Sequence, residues 1–145
     1  APYDQGLGVV AMLAISWLWQ RLLLMPLTQL TLAGSSGVEF SLVLDDKSKG
    51  YRKNTDAIKA LQSGRTREAL RILHAAVRRH KRSGPLHNTL GVALMFEAKQ
   101  QHGSVRQDEL QEAALRAFER ARSLAGKDVR EIAENVVLAT KHVEA

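Results

Sequence analysis

Apolar residues recur at helical spacing through most of residues 54–144, which places them on one face of each predicted helix. Polar breaks interrupt this pattern, and each break contains a glycine: Gly64, Gly84, Gly103 and Gly126. The pattern predicts five helices, over residues 54–62, 66–81, 86–101, 108–124 and 128–144. Asn54 or Thr55 is expected to cap the first helix, because short polar side chains accept hydrogen bonds from the free amides of a first turn.

An apolar stretch near the start of the chain predicts a membrane anchor. Residues 6–19 carry no charge, and a helix over residues 6–27 would be about 33 Å long at ~1.5 Å per residue. That length matches the hydrocarbon core of a bilayer, which is about 30 Å thick. We therefore expect residues 1–34 to form a single transmembrane helix. A hydrophobic helix packed on a partner protein and a secretory signal peptide are the alternatives.

The residues near the end of this stretch suit a membrane interface. Trp17 and Trp19 are amphipathic rings of the kind that lie at the headgroup level. The long side chain of Arg21 can reach the headgroups or pair with a partner protein. Four basic residues follow within residues 47–53, so the positive-inside rule places the N-terminus outside, in a lumen or an intermembrane space.

Residues 35–53 are predicted to be a linker that contains one candidate strand. Along residues 38–44 the larger apolar side chains alternate, which puts Val38, Phe40, Leu42 and Leu44 on one face. A single strand leaves its backbone groups unpaired. We therefore expect extended chain packed against the helices, with addition to a partner's sheet or the start of a helix as alternatives.

The predicted helices form two units with similar small and large residues at their packing positions. These are Gly64 to Ala69, Leu73 and Ala76 in a first unit, and Leu90, Gly91, Leu94, Ala114, Phe118 and Ala121 in a second unit. On these residues the chain resembles the tetratricopeptide repeat family. The two units begin near Gly50 and Gly84, which are 34 residues apart, and this offset is the family period. The resemblance implies an all-α fold, in which residues 54–145 form an α-solenoid of two helical hairpins and a capping helix.

The resemblance also implies a concave groove that binds a peptide of a partner protein. Its lining would comprise Asn54, Ile58, Leu61, Asn88, Val92, Met95 and Phe96. The two asparagines lie one period apart, and their carboxamides could hold the backbone of a bound segment. Helix capping or exposure to solvent is the alternative for these asparagines.

The positive charge is concentrated in one part of the chain. The whole chain has a net charge of +6, and residues 54–85 alone contain eight basic and two acidic residues. The predicted basic docking face comprises Arg67, Arg71, Arg78, Arg79, Lys81 and Arg82. Such a face suits an acidic partner or lipid headgroups. Interaction with the dipole of the second helix is the alternative.

The composition favours binding over catalysis. The chain has no cysteine, which excludes disulfides, thiol nucleophiles and thiolate metal sites. The five histidines show no spacing typical of metal ligands. We predict no catalytic residue, no metal and no cofactor, although pigment or lipid contacts along the N-terminal helix stay open. Only 5% of the residues are aromatic, which disfavours nucleic acid as a partner.

These features predict a non-catalytic, membrane-anchored accessory or assembly subunit of a larger membrane protein complex. The architecture is similar to that of N-terminally anchored tetratricopeptide proteins of organelles, in photosystem or respiratory complexes. It favours the thylakoid membrane, and photosystem I, over the mitochondrial inner membrane. The expected partners are other subunits of the complex and the lipid bilayer. A soluble peptide-binding adaptor and an RNA-binding helical repeat are the alternatives.

Overall fold

A computed structural model describes residues 40–125 and 129–145 of the chain. These ranges are all-α and contain five helices and no strand, which confirms the predicted fold class at this level. The helices are α1 (Tyr51–Gln62), α2 (Thr66–Arg79), α3 (Gly84–Gln100), α4 (Val105–Ala125) and α5 (Arg130–Glu144).

The start of α1 differs from the prediction. The helix begins at Tyr51, directly after Gly50, whose φ of +84° is readily adopted only by glycine. Asn54 therefore lies inside the helix and is 1% exposed, so the expectation that Asn54 or Thr55 caps the helix is wrong. The start of α3 is conventional, because the Ser83 hydroxyl accepts from the Leu86 amide at 3.4 Å.

Each helix packs mainly on the next one along the chain, and short connections make successive helices antiparallel neighbours. Helix α3 lies at the centre, between α2 and α4, and also contacts α1. Most of its residues are buried, as expected for a helix that is apolar on all sides. Gly91 lets α3 and α4 approach closely, because a Cβ at this position would lie 2.6 Å from Phe118 Cε1.

Residues 40–44 are extended chain packed against the helices, as the lone alternating segment led us to expect. Phe40 and Leu42 are at most 5% exposed and belong to the core, and Leu44 packs against it. Val38, the fourth member of the predicted face, lies outside the described residues.

The predicted anchor, residues 1–34 with Trp17, Trp19 and Arg21, also lies outside the described ranges. Within residues 40–125 and 129–145, no helix has both the length and the apolar character needed to cross a bilayer.

Candidate functional site

Three asparagines on alternate helices hold the extended segment. Asn54 lies on α1, Asn88 on α3 and Asn135 on α5, and all three are at most 1% exposed. Each donates its side-chain Nδ2 to a main-chain carbonyl of residues 40–44. The helices α1, α3 and α5 therefore line one common groove, and the segment lies in it.

Ser41 is the residue that the asparagines hold most tightly. Its carbonyl accepts from Asn88 Nδ2 at 2.9 Å and from Asn135 Nδ2 at 2.8 Å. Its amide donates to Asn135 Oδ1 at 2.8 Å, so one carboxamide pairs with both backbone groups of the same residue. Asn135 also donates to Asn88 Oδ1 at 2.8 Å. A bond of 3.3 Å from Asn54 to the Val43 carbonyl fixes the other end of the segment.

This arrangement recognises a peptide backbone rather than a particular side chain. The asparagines contact only main-chain atoms of the segment, while Phe40 and Leu42 are buried among apolar residues. A buried carboxamide satisfies peptide groups that an isolated extended chain would leave unpaired. The groove can therefore hold an extended segment with large apolar residues at alternate positions, and in this structure the chain's own segment fills it.

Two of the predicted groove residues, Asn54 and Asn88, donate hydrogen bonds to the segment. Ile58, Leu61, Val92 and Met95 are buried in the core, and Phe96 is half-buried against it. Asn54 and Asn88 neither cap a helix nor face solvent, so that alternative is wrong for both.

Sequence reasoning missed Asn135. The apolar spacing of residues 128–144 predicts a buried stripe, and Asn135 lies within it, three positions after Ile132 and beside Val136. A polar carboxamide at a core position of an amphipathic helix needs a buried partner. This requirement could have predicted that Asn135 has a buried hydrogen-bond partner. It could not have identified that partner as the backbone of Ser41.

The predicted basic docking face is exposed throughout, but the fold divides it into two groups. Arg67, Arg71 and Arg78 project from α2, and Arg67 is 87% exposed. We call these three the α2 face. Arg67 Nε also lies 4.0 Å from Oε1 of the nearly buried Glu97. Among the described residues, Arg71 and Arg78 have no acidic side chain within that distance.

The second group borders a cleft. Arg79, Lys81 and Arg82 lie in and after the last turn of α2, and Lys49 joins them from the turn before α1. We call these four residues, with the cleft they line, the basic cleft; its volume is about 890 Å³. Its apolar wall comprises Val43, Pro85, Leu124, Ala125, Val129 and Ile132. Lys49 was absent from the predicted face because only the folded chain brings it there.

His87 ties the connection between α2 and α3 to the core. Its ring Nε2 donates to the Lys81 carbonyl at 3.0 Å. Partial burial lowers the pKa of His87, since desolvation disfavours the charged ring, and the positive charge of Arg120 acts in the same direction. The hydrogen bond to Lys81 opposes this shift. His87 therefore favours its neutral form in the folded protein.

The described ranges contain no cluster of three or more histidine, aspartate and glutamate residues that could hold a metal ion. Comparisons with protein-family models, curated proteins and solved structures found no match. The functional argument therefore depends on the groove, the α2 face and the basic cleft themselves.

Proposed function

We propose that the chain is a non-catalytic, membrane-anchored accessory or assembly subunit of a larger membrane protein complex, organellar in location. Residues 1–34 fix it in the membrane, and a tetratricopeptide-like array over residues 54–145 docks partner subunits. The observation that carries the proposal is the seating of residues 40–44 in the groove, because it fastens the domain to the chain that leads directly into the apolar stretch.

The three asparagines and the segment that they hold, which we call the clamp, keep the domain close to residues 1–34. Only residues 35–39 separate residues 1–34 from the segment, and five extended residues span at most about 17 Å. A domain held at that distance suits docking to neighbouring subunits of the same membrane complex. Asn54 and Asn88, which are one family period apart, face the same groove, and this equivalence supports the tetratricopeptide-like arrangement.

The filled groove favours this proposal over a soluble adaptor that takes a partner's peptide into the groove. A competing peptide would have to displace a segment that is covalently joined to the domain, and such a segment has a high effective concentration. Docking is therefore assigned to the outer surfaces, where the α2 face offers exposed positive charge for an acidic partner.

Native purification tests the proposal. We expect the tagged full-length chain to resist extraction by high salt, to require detergent for release, and to migrate in a high-mass complex on native gels. Replacing Arg71→Glu and Arg78→Glu reverses the charge of the α2 face and should shift the chain out of that complex. The matched control is Arg106→Glu with Arg122→Glu, on exposed positions of α4, which should leave the complex intact.

Two results would contradict the proposal. Release of the chain by high salt alone would show that residues 1–34 are not an integral anchor. Migration of the detergent-extracted wild-type chain as a free monomer would show that the chain is not part of a larger complex.

A further inference from the structure

The basic cleft combines positive charge with apolar residues, whereas the α2 face consists of three exposed arginines. Four cations line it, Lys49, Arg79, Lys81 and Arg82, and Asp45 is the one acidic residue among the described lining residues. None of the four cations forms an ion pair within 4.0 Å with an acidic residue of the described ranges. The lining also includes the apolar residues Val43, Pro85, Leu124, Ala125, Val129 and Ile132. The cleft can therefore pair with negative charge and bury an apolar side chain together.

We propose that the basic cleft binds an acidic peptide segment of a partner protein, with carboxylates on the cations and an apolar side chain against the wall near Pro85 and Leu124. This inference rests on the proposed function, and it names the class of segment that the docking domain takes. Carboxylate pairs with arginine are charge-assisted and directional, which gives such a segment a defined register.

The shape of the site favours a peptide over a lipid surface. The four cations and the apolar residues line the same cleft, whose volume is about 890 Å³. A flat bilayer contacts protruding side chains, whereas a peptide can enter a cleft and bury one of its own apolar side chains. The described lining also contains no phenylalanine, tyrosine or tryptophan on which a nucleic-acid base could stack.

The seated segment helps to build this cleft. Val43, whose carbonyl accepts from Asn54, lines the cleft, and so do Asp45, Ser48 and Lys49, which follow the segment in the chain. The turn is ordered by local bonds, in which Asp45 accepts from the Lys47 amide at 3.0 Å and from the Ser48 hydroxyl at 2.8 Å. We infer that the hydrogen bonds to residues 40–44 position the turn that brings Lys49 to the cleft.

Fluorescence anisotropy on the full-length chain in mild detergent tests the proposal. The probe is a labelled synthetic peptide in which leucines are spaced by glutamates. We expect saturable binding that weakens at least tenfold in the Lys49→Ala, Arg82→Ala double variant. The matched control is Arg106→Ala with Arg122→Ala, which removes two cations from exposed positions of α4 and should leave the affinity within twofold. A peptide with glutamine in place of glutamate should bind at least tenfold more weakly.

The competing ligands are tested in the same assay. Inorganic phosphate or soluble glycerophosphoserine that displaces the peptide at equal or lower concentration would overturn the proposal in favour of a phosphate or headgroup site. Equal affinity of the Lys49, Arg82 variant and the wild type would also overturn it. That failure is distinct from failure of the proposed function, because the chain could still reside in a membrane complex through the α2 face.

Discussion

The ring of Phe40 stacks on the ring of Phe118, with centroids 5.4 Å apart and planes inclined by 11°. Phe40 precedes the five described helices, whereas Phe118 lies in α4 and is fully buried. The contact therefore makes the extended segment a part of the core. It also means that unseating the segment would expose apolar surface of the helical domain itself.

Loss of the Phe40 ring should destabilise the whole domain. We expect Phe40→Ala to lower the free energy of unfolding by about 3–5 kcal/mol, through lost burial and the cavity left beside Phe118. Urea unfolding followed by circular dichroism measures the change. Phe96→Ala is the comparison, because that ring is only half-buried and its loss should cost less. Equal losses at the two positions would show that Phe40 is not part of the core.

The asparagines should differ in importance according to their bonds. Asn135→Ala removes two bonds to Ser41 and one to Asn88, so we expect a loss of about 2–4 kcal/mol in unfolding free energy. Asn54→Ala removes one bond of 3.3 Å and should cost less. Gln62→Ala, an exposed amide, is the control and should change stability by less than about 0.5 kcal/mol. The reverse order of Asn135 and Asn54 would contradict the assigned network.

Gly91 and Phe118 should be energetically coupled. Gly91→Ala places a methyl group 2.6 Å from Phe118 Cε1 and should destabilise the domain by about 1–3 kcal/mol. Phe118→Leu removes the obstructing ring edge, so the two substitutions together should cost less than the sum of the single ones. A double-mutant cycle in urea measures this. Strict additivity would mean that the two helices do not pack at this point.

Stability should fall as the solution is acidified through the range where free histidine titrates. The pKa of His87 is lower in the folded protein than its ordinary value of 6.5, so the unfolded chain binds a proton first. The stabilising contribution is complete above about pH 6.5 and is lost as the pH falls toward the folded-state pKa. His87→Gln should reduce the slope of the urea midpoint against pH between pH 7.5 and 5.5, relative to the wild-type chain. An unchanged slope in His87→Gln would contradict this account.

The helices were predictable because their signals are local. Glycines mark the breaks, and apolar spacing marks the buried faces, so α2 to α5 fall near their predicted positions. The alternation of Phe40, Leu42 and Leu44 also predicted which side of the extended segment is buried. The predicted start of α1 was wrong because Asn54, a residue type that often caps helices, instead donates a hydrogen bond to the Val43 carbonyl.

The site was predictable only in part, because its partners are distant in the sequence. Asn54 and Asn88 were predicted because they lie 34 residues apart, which is one repeat. Asn135 lies 47 residues after Asn88, so the same spacing does not indicate it. No sequence pattern links Ser41 to these carboxamides, because the bonds are made by its backbone amide and carbonyl, which nearly every residue type also has. The presence of Lys49 in the same cleft as Arg82 likewise depends on the path of the turn before α1.

The most direct test of the clamp is hydrogen exchange at the Ser41 amide, read by nuclear magnetic resonance on the full-length chain. That amide donates to a buried carboxamide, so we expect its exchange to be at least about 100-fold slower than in an unfolded peptide. In Asn135→Ala the exchange should approach the peptide rate while the amides of α3 stay protected. Exchange of the wild-type Ser41 amide at the unfolded rate would show that the segment does not occupy the groove.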